Sequence, residues 1–181
     1  MKAANTTMEE LVADVLRAKG YATSAPFNST AWQARPVFIQ SFEVNSLRRF
    51  AEELPGAPLV YLLDNASDPE TGSSLSEILS DSSLSEISSF VTVISPWKGL
   101  LYTVVDRNGT DRLQSLGLTR RLQGKGFQVH TYTIRDEPQF VLPTCGGLIV
   151  CEFEFLFKYE GLNGAFTDHP ASLVDWVQQN Y

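Results

Sequence analysis

The groups able to do chemistry in this chain fall into five short clusters, each following an apolar run: Gln40-Ser41-Phe42-Glu43, Asp64, Ser95-Pro96-Trp97-Lys98, Tyr132-Thr133-Ile134-Arg135 and Thr167-Asp168-His169-Pro170. Together they supply carboxylates, hydroxyls, cations and an imidazole, the groups a cleft needs to bind a polar ligand and move protons. Singly, each serves as readily as a loop or capping residue. The sequence holds two histidines. His130 lies inside an apolar run, where a hydrogen-bonded core imidazole is the plain reading, and His169 opens a loop before Pro170.

Several chemistries are excluded. There is no Gly-x-Ser-x-Gly elbow, which removes the usual serine hydrolase. Gly124-x-Gly126 falls after a helical segment and before a strand, the wrong side for a loop that cradles phosphate at a helix start. Cys145 and Cys151 stand six positions apart, a spacing that matches no common zinc or redox motif. They read either as two small buried hydrophobes or as a local disulfide, which would need an oxidising compartment.

A net charge of −7 argues against nucleic acid and anionic membranes as partners, because both demand clustered Lys and Arg. The apolar runs stop well short of the ~18 residues of a transmembrane segment. No signal peptide opens the chain, so an export address, if there is one, is expected upstream of Met1. Asn5, Asn28, Asn65 and Asn108, four of the seven asparagines, begin Asn-x-Ser/Thr triplets. Since about one would arise by chance, the excess favours a glycosylated, secreted protein.

The elements that must position these clusters alternate. Met8, Leu11, Val12, Val15 and Leu16 recur at helical spacing, with capping-box pairs Thr6/Glu9 or Thr7/Glu10 before them and Gly20 after. Residues 37–42 read as a buried strand, Leu47, Phe50, Ala51 and Leu54 as a helix, and residues 59–63 as a second strand. Residues 64–89, rich in Ser and acidic groups, form a surface loop with a short helix near residues 84–87. A third strand is expected at 90–94, a helix at 110–122, a fourth strand at 127–134, a helix at 152–159, a fifth strand at 164–167 and a last helix near 171–178. Five apolar strands separated by helices predict a parallel sheet joined by right-handed crossovers. Function then collects at the C-terminal strand ends, where the five clusters lie.

In their order, these strand ends resemble the periplasmic and plant type of glycerophosphodiester phosphodiesterase. Gln40-Ser41-Phe42-Glu43 followed by Leu47 is similar to the family's Q-S/C-F-D segment. Val129-His130-Thr131-Tyr132-Thr133-Ile134-Arg135 is similar to its V-H-P-Y-T-V/F-R strand, and Gly161-Leu162-Asn163-Gly164-Ala165-Phe166-Thr167-Asp168-His169-Pro170 to its G-V-N/D-G-L-F-T-D-F-P ending. Met1-Lys2 resembles the close of the family's E-x-K strand, which makes Met1 an internal methionine at the start of a fragment.

The resemblance implies an α/β fold, a partial TIM-type (β/α) barrel of about five C-terminal units, with residues 1–181 as one partial phosphodiesterase domain. It implies a small-molecule glycerophosphodiester as substrate, with Lys2, Phe42 and Tyr132 as substrate-binding residues. It also implies a divalent cation, Ca²⁺ or Mg²⁺, in the complete enzyme. The family's histidine pair and its Glu/Asp/Glu metal ligands belong to H-R-G, H-D, E-x-D and E-x-K motifs with no full counterpart here. No catalytic residue and no metal ligand is therefore expected within the chain, which alone should be inactive. The competing reading is a non-catalytic β/α interaction or structural module that has lost the catalytic half.

Overall fold

A computed structural model describes residues 6–21 and 23–181. The chain divides into two compact units, Met1–Val93 and Ile94–Tyr181. Among the described residues no helix is long and apolar enough to cross a membrane.

The first unit opens with α1 (Met8–Ala18), whose start is fixed by the Thr7/Glu10 capping box: the Glu10 N–H donates to Thr7 Oγ1 at 3.2 Å and the Thr7 N–H to Glu10 Oε2 at 2.9 Å. After α2 (Thr30–Ala34) come β1 (Ile39–Ser41), α3 (Val44–Glu53) and β2 (Leu59–Leu63). The two strands are parallel, with Ile39 opposite Leu59 and Ser41 opposite Tyr61. Every residue of β2 is buried, as expected of a strand covered on both faces.

The face of α1 turned to α3 is not the apolar one. Glu9 and Ala13 are buried, while Met8, Leu11 and Val15 are exposed. Ala13 gives the close approach, and the Glu9 carboxylate is matched by Ser46 Oγ at 2.8 Å and Arg49 Nη2 at 3.0 Å. A buried carboxylate with both partners costs little to bury. The serine-rich stretch that follows folds into α4 (Leu75–Ile78) and α5 (Asp81–Ile87), with Ser74 and Ser80 as N-caps.

In the second unit, β3 (Val93–Pro96), β6 (Gln128–Ile134) and β7 (Gly164–Thr167) lie side by side in that order. β6 pairs parallel with β7, and a parallel bridge joins Trp97 to Tyr132. Between β3 and β6 the chain departs from expectation. Where a helix over 110–122 was predicted, β4 (Tyr102–Asp106) and β5 (Asp111–Ser115) form an antiparallel hairpin, and only α6 (Leu118–Gly124) is helical. The reason is local: Asn108 and Gly109, at φ of 57° and 76°, make the left-handed pair that a tight hairpin turn selects.

The segment 152–159 is helical as expected. α7 (Ile149–Phe153) continues into a π-helical stretch, Glu154–Tyr159, burying Phe153, Leu156 and Phe157 at helical spacing. The chain closes with α8 (Pro170–Asn180), whose Trp176 packs on Phe153 and Phe157. Cys145 and Cys151 are joined in a disulfide.

Candidate functional site

The first two clusters meet. Gln40, Ser41, Phe42 and Glu43 at the end of β1, and Asp64 at the end of β2, line one cavity of about 600 Å³ together with Tyr61, Asp68 and Ile78. Phe42 stands at its wall, partly exposed. The Glu43 N–H donates to Ser41 Oγ at 3.0 Å, and Asp64 Oδ1 accepts the Ala66 N–H at 2.7 Å, so both strand ends turn sharply as they enter the wall. Glu43 and Asp64 set hydrogen-bond acceptors beside the Phe42 ring in this cavity.

Asp68 holds this wall in place and carried no signal in the sequence. It is 3% exposed. Its Oδ2 accepts the Tyr61 hydroxyl at 2.7 Å and the Val44 N–H, the first of α3, at 2.8 Å; its Oδ1 accepts the Thr71 and Glu70 N–H groups at 2.8 and 3.0 Å. Burial works against its charge, but these donors outweigh burial and hold the carboxyl below the usual carboxylate range. The same contact, with burial, pushes the Tyr61 hydroxyl well up. Asp68→Ala is expected to destabilise the protein by about 2–3 kcal/mol, because it strands buried donors. The depressed pKa adds a sign: the stability that Asp68 confers is full above the unfolded carboxylate range and is lost as pH falls through its lower folded value. Urea melts near neutral pH and at about pH 3 should therefore show the gap between wild type and D68A shrinking in acid.

In the second unit Trp97 and Tyr132 meet through their backbone bridge at the ends of β3 and β6, and Thr131 Oγ1 donates to the Pro96 carbonyl at 2.8 Å. The Tyr132–Thr133 peptide is cis. His130 lies half-buried beside Phe166, and burial takes its pKa down to about 4. A Cβ on Gly164 would come within 2.8 Å of the His130 ring, so any larger residue there would have to displace the imidazole. At the ends of β6 and β7, His169 Nε2 sits 2.8 Å from Asp136, and Arg135 reaches both Glu137 and, at 3.3 Å, Asp168. Lys98, expected at a cleft rim, is instead buried against Glu152 at 2.7 Å. Lys2 lies outside the described residues.

The model of the glycerophosphoryl diester phosphodiesterase family matches residues 3–172. The chain belongs to this family. A glycerophosphodiester phosphodiesterase of Arabidopsis thaliana is 31% identical over 172 residues, covering 94% of this chain and 45% of the plant protein. Among solved structures, a glycerophosphoryl diester phosphodiesterase of Silicibacter pomeroyi superposes with a TM-score of 0.54 at 16% identity, covering 94% of this chain and 43% of that one. A phosphodiesterase of Oleispira antarctica, solved with the product sn-glycerol-3-phosphate, gives 0.53 at 13% identity, covering 94% and 50%. The chain thus spans about half the length of these phosphodiesterases, and its α/β architecture is that of part of their barrel.

Phosphodiesterases of this family were expected to use Ca²⁺ or Mg²⁺, and Asp136, Glu137 and His169 place ligand atoms within 4.8 Å of one another. They do not fit such an ion. Hard cations take several oxygen ligands, whereas here one of three donors is an imidazole, Glu137 is held by the Arg135 guanidinium, and Asp136 is engaged by His169. Arg135 also draws the Glu137 carboxyl below its usual range.

Proposed function

We propose that this chain contributes part of the substrate cleft of a metal-dependent glycerophosphodiester phosphodiesterase, which hydrolyses glycerophosphodiesters to glycerol 3-phosphate and an alcohol in lipid metabolism. The observation that carries the reading is the family match over residues 3–172, nearly the whole chain. The strand-end cavity supports it: Glu43 and Asp64 repel a phosphate but accept from hydroxyls, and Phe42 offers a face to a carbon frame, so this wall suits the alcohol end of the substrate. The product seen in the Oleispira antarctica enzyme is of the same class. Tyr132 is assigned to the cleft by the same resemblance. The cation, Ca²⁺ or Mg²⁺, and the acid–base histidines belong to motifs that no residue of this sequence completes.

That missing set also favours a second reading, in which the isolated chain is a non-catalytic β/α module. Release of glycerol 3-phosphate from glycerophosphocholine separates the two, as argued in the Discussion.

Lys2 is assigned to the phosphate. An ammonium beside a phosphoryl oxygen stabilises charge as it accumulates in the transition state, so its loss lowers turnover more than binding. In a protein carrying the upstream barrel units, Lys2→Ala is expected to reduce kcat about 10²-fold with a smaller change in KM. Unchanged turnover in such an active protein would put Lys2 outside the site.

A further inference from the structure

We propose that Asn108 is an N-glycosylation site and that the protein matures in an oxidising secretory compartment. Three of the four Asn-x-Ser/Thr triplets fall within the described residues, and Asn28, Asn65 and Asn108 are all exposed in turns or loops. Exposure in a turn or loop leaves room for a glycan and keeps the asparagine and the hydroxyl two residues on accessible to a transferase.

The three are not equivalent. The Asn28 carboxamide already accepts from Gln33 Nε2 at 2.8 Å, and Thr30 of its triplet is the first residue of α2. Asn65 stands between Asp64 and Ala66, both in the wall of the strand-end cavity, so a glycan there would crowd its mouth. Asn108 meets neither obstacle. It occupies the tip of the β4–β5 hairpin at φ 57°, with Arg107, Gly109 and Thr110 all exposed around it. The turn beneath it is fixed by two backbone bonds between Arg107 and Thr110, at 2.9 and 3.3 Å, and by the Gly109 N–H to Asp106 Oδ1 at 2.8 Å. No side-chain partner for Asn108 is found among the described residues. Its carboxamide is presented to solvent at the hairpin tip.

A second, independent feature points to the same compartment. Cys145 and Cys151 are paired, with Cα atoms 5.5 Å apart, and disulfides persist where the milieu is oxidising. That is also where asparagine-linked glycans are attached.

The donor class is a polyisoprenyl-pyrophosphate-linked oligosaccharide, and the partner a membrane-bound oligosaccharyltransferase. The Asn108 carboxamide nitrogen forms a bond to the anomeric carbon. The anomeric carbon–oxygen bond to pyrophosphate breaks, the lipid pyrophosphate leaves with the electron pair, and the nitrogen gives up one proton to a transferase base.

The test is a peptide map of the protein isolated from its own source and treated, in heavy-oxygen water, with an N-glycosidase that accepts core-fucosylated glycans. An aspartate carrying heavy oxygen at position 108, absent from a parallel sample kept in the same water without the glycosidase, is the expected result. An unlabelled, unmodified Asn108 overturns the proposal, whatever Asn28 and Asn65 carry. Asn108→Gln could disturb the left-handed turn, so Thr110→Ala is the second variant: it leaves the asparagine in place and should remove one glycan's mass from the intact protein. Thr110→Ser should keep it. An intact mass unaffected by Thr110→Ala, beyond the side-chain change itself, also overturns it.

Discussion

Purified as residues 1–181, the chain should release no glycerol 3-phosphate from glycerophosphocholine above background, with either Ca²⁺ or Mg²⁺ supplied. Hydrolysis of a phosphodiester needs a base to activate the nucleophile, an acid to protonate the leaving oxygen, and charge stabilisation at the phosphoryl group. Neither histidine can serve as a pair with the other. Burial holds His130 neutral down to about pH 4 against Phe166 and Gly164, and His169 is engaged by Asp136. Carboxylates free to bind a hard cation are also missing from the one cluster among the described residues that could gather round one. Joining the upstream units of a family member should restore turnover by at least about 10⁴-fold, the scale of a general acid–base pair. Metal-dependent turnover by residues 1–181 alone would mean that the catalytic groups have been misplaced.

The largest effect on stability is expected at Lys98. Its ammonium is buried with Glu152, which is fully buried, and also donates to the Phe140 carbonyl; the other Glu152 oxygen accepts the Leu142 N–H at 2.8 Å. Lys98→Ala leaves a carboxylate with no counter-ion in the core of the second unit, which should cost about 3–5 kcal/mol in a urea melt. Replacing both partners with apolar residues of similar size should recover most of that loss, because the pair itself is not a large net gain. Burial raises the Glu152 carboxyl above its usual range, and Lys98 and the Leu142 N–H only partly oppose this. In the window between the unfolded and the raised folded pKa the native state holds the extra proton, so stability falls as pH rises through it. Lys98→Ala should steepen that fall, and a pH-independent loss would show that Glu152 is not the group left exposed to the change.

How much of this was legible in the sequence depended on whether the cause was local. β2 and β6 were legible because a short, dense apolar run has few other fates, and residues 59–63 and most of 127–134 are strands as read. The 152–159 segment offered both an alternation of Phe153, Phe155 and Phe157 and a helical period, and burial of Phe153, Leu156 and Phe157 decided for the latter. The hairpin was missed although Asn108-Gly109 announced it, because Asp111, Arg120 and Arg121 suggested a helix with favourable end charges. Only the C-terminal end fits that reading, with Arg121 in the last turn of α6, whereas Asp111 opens β5.

For the cavity, Phe42 and Asp64 could be placed at strand ends from the alternation of elements. Asp68 could not, since its local partners, Glu70 and Thr71, mark only a turn, and the contacts that tie it to the wall lie 24 positions away at Val44 and 7 away at Tyr61. Lys98 illustrates the same limit. Its place after β3 was readable, but its burial depends on Glu152, 54 residues further on.

The hairpin carries a consequence for how such chains diverge. Its two ends are tied where they leave the body of the unit, the Leu116 N–H donating to the Leu101 carbonyl at 2.9 Å, so the path from β3 to α6 is already closed beneath it. Lengthening or shortening the protruding arms changes neither that closure nor the register of the strands, and doubling a loop's length adds only about 0.6 kcal/mol of closure entropy. Residues 102–115 are therefore the place where related sequences can gain or lose segments without refolding the scaffold, and where two members of the lineage should differ most in outline while sharing the same interior.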